Sequence, residues 1–239
     1  MTEKEKEKEN GMPEAAASSA AAELIRELGI SDLDVGFRSD LKYISIIGCI
    51  EGHSVLPAEN KTTKYEHLIP QLIAVEENPE IKGLLTVLNT VGGDVEAGLA
   101  LAELIATISK PTVSLVLGGG HSIGIPLAAA SRYSFICETA TMTLHPIRTS
   151  GLLITAEPTF EYLRRTQERV IDFIVSHSKA NREEIVRRMN CTENMANDVG
   201  TVLFGREAVE LGIIDQTGGL SDALTKLRAM IQEGDLQNM

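Results

Sequence analysis

Five short β-type runs alternate with stretches of helical periodicity, and that alternation limits the folds open to this chain. The runs are Tyr43–Ile50, Ile81–Leu88, Thr112–Leu117, Tyr133–Cys137 and Thr141–His145. Between them, Lys64–Glu77, Asp94–Ser109 and Ser122–Ser131 carry apolar or small residues at helical spacing. Strands that alternate with helices predict an α/β fold with a mostly parallel sheet covered on both faces. Ligands of such sheets bind beyond the carboxyl ends of the strands. After Pro158 the pattern turns helical. Helices are expected over Thr159–His177, Arg182–Met189, Gly205–Leu211 and Leu220–Ile231, with a short strand at Ile213–Asp215. Gly212 suits the end of the third of these helices.

Composition narrows the function classes. With 239 residues, the chain can bury one good core and carry appendages. Aromatic residues make up only 4% and tryptophan is absent, so Ala, Leu, Ile and Val must build that core. A net charge of −12 disfavours nucleic acid and anionic membranes as partners. The three cysteines show no metal-ligand or disulfide spacing, which points to a reducing, cytoplasmic setting and to no metal or cofactor. No secretory leader and no membrane-spanning run are expected. Residues 1–35 alternate Glu with Lys and then run in Ala and Ser, which reads as a disordered or loosely ordered tail. Residues 36–239 are expected to form a single domain.

Three motifs fall on one rim of the expected sheet. Asn89-Thr-Val-Gly-Gly-Asp94 follows the second strand, Gly118-Gly-Gly-His-Ser-Ile-Gly124 follows the third, and Met142-Thr-Leu-His-Pro146 closes the fifth. Gly120-His-Ser-Ile-Gly124 matches the G-x-S-x-G turn that presents a nucleophilic serine, Ser122. A packing turn of small residues would give the same pattern. His145 ends a strand before Pro146 and is the best general base, whereas a lone histidine is more often a half-buried structural residue. His121 adjoins Ser122 and is expected to line the pocket. Gly92 and Gly93, with the N–H of Ile123, are candidate donors to an oxyanion. An ordinary tight turn would need the same glycines. His53 and His67 lack neighbours that would mark them as ligands.

In this order, the motifs resemble the proteolytic subunit of the Clp proteases, ClpP. Gly205-Arg-Glu-Ala-Val-Glu-Leu-Gly-Ile-Ile-Asp215 extends the likeness, which spans about Tyr43 to Leu227. The departures and the Ala-rich N-terminus look most like the translocation-enhancing branch of that family. The resemblance implies a ClpP/crotonase-like spiral of ββα units with a protruding handle helix at about 155–178. It implies Ser122 as nucleophile, His145 as base, and Gly92 or Gly93 with Ile123 as the oxyanion hole. It also implies peptide or unfolded-protein substrates, homo-oligomeric rings of the heptameric type, and an ATP-dependent unfoldase as partner.

The third member of the triad is where the chain departs from the family. An ungapped fit lands on Gly200, so the acid is assigned to Asp198, with Asp172 on the handle as the fallback. Val91 stands for the usual Pro before Gly-Gly, and Pro146 follows the histidine with no intervening Gln. Arg148–Ile154 replaces a Gly-rich handle segment that normally pairs with a substrate strand. The reading is a cytoplasmic serine endopeptidase of ClpP-like type. The alternatives are a non-catalytic ring that aids protein export and a crotonase-like acyl-CoA enzyme.

Overall fold

The structure, a computed structural model, describes residues 40–149, 156–192 and 199–237. The tail expected over residues 1–35 lies outside them, as does Asp198.

Eight strands and seven helices appear among the described residues. Their order is β1 (Leu41–Glu51), β2 (Thr62–Lys64), α1 (Tyr65–Glu77), β3 (Gly83–Gly93), α2 (Val95–Thr107), β4 (Thr112–Gly120), α3 (Gly124–Ala129), β5 (Tyr133–Ile136) and β6 (Thr141–Leu144). Then come α4 (Ala156–Ser176), α5 (Arg182–Met189), β7 (Thr201–Phe204), α6 (Gly205–Glu210), β8 (Gln216–Thr217) and α7 (Leu220–Gln237). The main sheet runs β2-β1-β3-β4-β5-β8 and is parallel throughout. The mixed α/β architecture with a parallel-dominated sheet is the one expected.

Strand alternation sends successive side chains to opposite faces. Ile44, Ile46, Leu84, Leu88, Val116 and Ile136 pack with α1, α2, α3 and the second half of α4 in one large core. Leu41, Leu85, Val113, Leu115 and Phe135 face the other way, onto Ala223 and Leu227 of α7. Helices therefore cover both faces, and the strands read as nearly continuous apolar runs because both sides are buried.

β4 forks the sheet. Its first half pairs with β3 and β5, from Val113↔Tyr133 to Val116↔Ile136. Its Gly-rich end leaves β5 and meets β6 at Gly119↔Thr141. β7 then runs antiparallel to β6, with Leu144 opposite Thr201. This fork turns β6, with His145 just past its end, toward the loop that follows β4.

Helix α4 divides in two. Its second half is buried through Val170, Ile171, Phe173 and Ile174. Its first half stands clear, with Phe160 71% and Tyr162 58% exposed. The bidentate pair of Arg169 and Glu96 (2.7 and 3.1 Å) ties α4 to α2, and Arg182 of α5 joins Glu168 and Asp172.

Several boundaries differ from expectation. β3 continues past Leu88 to Gly93, and β4 continues past Leu117 to Gly120, so both Gly-rich stretches are strand ends rather than loops. The helix expected from Ser122 begins at Gly124. The last short strand is Gln216–Thr217 rather than Ile213–Asp215; the Asp215 N–H donates to Ser134 Oγ at 2.9 Å rather than to a strand carbonyl.

Candidate active site

Ser122 is the non-glycine residue with positive φ among the described residues, at 56°. The left-handed region costs a serine on the order of 1 kcal/mol, so neighbouring bonds must hold it there. They do so on both sides. Ser122 N–H donates to Thr143 O at 2.9 Å, His121 N–H to Thr90 O at 3.1 Å, and Ile125 N–H to Ser122 O at 3.0 Å. The Thr143 bond fastens the serine turn to β6, two residues before His145.

Gly92 makes room for this turn. A Cβ on Gly92 would lie 2.7 Å from Ser122 Cβ and 2.9 Å from His121 O, and its φ of 90° suits glycine. The Gly92 N–H is already used, donating to Thr90 Oγ1 at 3.0 Å, while Thr90 Oγ1 donates to Gly48 O at 2.7 Å. Gly93 differs. Ile50 O accepts from Asp94 N–H at 2.9 Å, so Ile50 pairs with the residues flanking Gly93. In a parallel ladder that leaves the Gly93 amide pointing off the opposite side of β3. Asp94 itself caps α2, its Oδ1 accepting from Ala97 N–H at 2.8 Å. The Ile123 N–H has no acceptor among the described residues.

A cavity of about 150 Å³ gathers these groups. Gly93, Ser122, Ile123 and His145 all line it. The structure thus brings together four of the residues singled out from the sequence. Gly92 lies behind Ser122 and outside the lining. His121 also lies outside the lining, contrary to expectation, with its Nδ1 2.8 Å from Thr143 Oγ1. Burial first, and the nearby His145 second, push the His121 imidazole below its ordinary pKa.

Ser122 and His145 share the cavity without a direct hydrogen bond between them. His145 Nδ1 sits 2.7 Å from Pro146 O. A carbonyl can only accept, so Nδ1 carries the proton and Nε2 of the neutral ring is left as an acceptor. Gly200 packs against the His145 backbone: a Cβ there would lie 2.9 Å from His145 Cβ and 2.4 Å from Leu144 O. Asp198 is two positions from Gly200 in the chain and lies outside the described residues. Asp172, the fallback, is exposed and paired with Arg182.

Other wall residues escaped the sequence reading. Val95, Ile125, Ile147, Val170, Ile174 and Met189 form an apolar wall, and Thr143, Arg148 and Gln167 supply further polar groups. The spacing of Gln167, Val170 and Ile174 marks a helix face. No local signal said that this face would meet Ser122.

Comparison with known proteins agrees with this geometry. The model of the Clp protease family matches residues 44–219. The translocation-enhancing protein TepA of Halalkalibacterium halodurans is 53% identical over 215 residues, covering 90% of this chain and 84% of that protein. The ATP-dependent Clp protease proteolytic subunit 1 of Chlamydia muridarum is 30% identical over 139 residues, covering 55% of this chain and 68% of the relative. A family match over residues 44–219, joined to a serine, a histidine and a strand-end glycine around one cavity, places the chain in the Clp protease family.

Proposed function

We propose that this chain is a serine endopeptidase that cuts peptide bonds through an acyl-enzyme. The observation that carries the reading is the shared cavity of Ser122, His145, Gly93 and Ile123. Ser122 Oγ attacks the scissile carbonyl carbon, and His145 Nε2 takes the hydroxyl proton. The Gly93 and Ile123 amides stabilise the oxyanion, and Gly92 keeps the space that Ser122 needs. His145 then returns its proton to the leaving amine, and a water molecule, activated by the same imidazole, releases the acyl group. Asp198 is the proposed third member, supported by the contact of its near neighbour Gly200 with His145. The substrates are peptides or unfolded proteins. We place the chain in the cytoplasm as a homo-oligomer of heptameric rings, served by an ATP-dependent unfoldase as in the family.

Ser122→Ala is expected to abolish hydrolysis of fluorogenic peptides while the protein stays folded. Hydrolysis at the native rate would refute the reading. A second reading, a ring that aids protein translocation without cutting, is favoured by the name of the 53% identical relative. It predicts that Ser122→Ala leaves export of a secreted reporter unchanged.

A further inference from the structure

The wall of the cavity is mostly aliphatic, yet one handle-helix side chain gives it a polar point with a fixed direction. Gln167 lines the cavity beside Ser122 and His145, and its Oε1 accepts from Ile147 N–H at 3.2 Å. A backbone N–H can only donate, so the oxygen of the side-chain amide must face Ile147. The amide nitrogen is thereby fixed as the free end. Its two N–H groups have no acceptor among the described residues. No carboxylate lines the cavity among the described residues. Around these donors stand Val95, Ile125, Val170, Ile174 and Met189.

Resting on the endopeptidase reading, we propose that Gln167 sets substrate preference by hydrogen-bonding the tip of the side chain that enters this cavity. The substrate class is a peptide whose residue on the acyl side of the cut bond is long and unbranched at Cβ, with an acceptor at its end. Glutamine fits best. Its methylenes meet the aliphatic wall, its carbonyl oxygen meets the Gln167 amide, and no charge has to be desolvated. A volume of about 150 Å³ is on the scale that holds a benzene-sized group, which suits a side chain of this length. Lysine is disfavoured because its ammonium would leave water for a wall that holds no carboxylate among the described residues. Gln167 makes no contact with the reacting bond and acts on specificity.

The test is a series of fluorogenic peptides that differ only at that residue: Gln, Leu, Met and Lys. Native protein is expected to favour Gln over Leu in kcat/KM by roughly tenfold, the worth of one neutral hydrogen bond. Gln167→Glu keeps the oxygen that accepts from Ile147 N–H and removes both donors. It is expected to lose the Gln preference and raise Lys relative to Gln by about tenfold. A merely structural role for Gln167 would move all four peptides together. Gln167→Leu, which also removes the acceptor, is expected to favour Leu. In parallel, product peptides ending in Gln or Leu are titrated calorimetrically into full-length Ser122→Ala protein. An unchanged Gln-to-Leu ratio in Gln167→Glu overturns the proposal while leaving the endopeptidase reading intact. No cleavage of any peptide by native protein overturns that reading instead. The calorimetric preference, if still lost in a Ser122→Ala, Gln167→Glu double variant, then supports Gln167, and an absence of binding overturns it.

Discussion

His121 stands one residue before Ser122 and bonds to the β6 strand that leads into His145. Its ring is half-buried and held below the ordinary histidine pKa, chiefly by burial. The folded chain therefore keeps this imidazole neutral at a pH where the unfolded chain, with histidine near pH 6.5, already binds a proton. Stability from the neutral ring is complete above about pH 6.5 and is lost as the pH falls through the lower folded-state value. Thermal midpoints are expected to drop as the pH falls below about 6.5, and to drop less in His121→Gln, which keeps a polar partner for Thr143 without titrating. Equal drops in the two proteins would contradict this. The same scale keeps Gly92 out of the proposed oxyanion pair: a single side-chain hydroxyl, that of Thr90, has taken the Gly92 amide.

At the scale of elements, the cap of α2 aligns the Gly-Gly strand end with the serine turn. Asp94 is the last residue before the helix, and its carboxylate satisfies the Ala97 N–H. Asp94→Ala is expected to cost about 1 kcal/mol. Calorimetry should then show a midpoint lower by roughly 2–4 °C for a chain of this size. An unchanged midpoint would mean that the cap contributes nothing. Asp94 was legible in the sequence as a helix start, as were the aliphatic centres of β1, β3 and β4, because burial on both faces demands unbroken apolar runs. The strand ends were not. Glycine weakens a strand by its own preference, so Gly92–Gly93 and Gly118–Gly120 read as loops. In the fold, neighbouring strands supply their backbone partners: Ile50 pairs with Gly93, and Thr90 with Gly120. That compensation comes from residues tens of positions away. β2, at three residues, is too short to carry a periodicity at all.

At the scale of the whole molecule, the fold assembles one cavity from stretches that are distant in sequence: Gly93–Val95, Ser122–Ile125, Thr143–Arg148, the buried half of α4, and Met189. Ser122 and His145 were singled out from their motifs because each lies at a recognisable strand end. The wall from α4 and α5 was not, since helical spacing tells which face is buried and not what it is buried against. Among the described residues, no helix is long and apolar enough to cross a membrane. The fork at β4 is the feature that joins these parts, since it carries β6 away from the main sheet and sets His145 beside the Ser122 turn. Fluorophosphonate labelling of the full-length protein, with the adduct located by peptide mass spectrometry, reads that juxtaposition. The adduct is expected on Ser122, formed at least a hundredfold more slowly in His145→Ala, in keeping with the worth of a positioned base of about 10² to 10⁴. An adduct on another residue, or labelling of Ser122 at the same rate without His145, would show that the two side chains do not act as nucleophile and base.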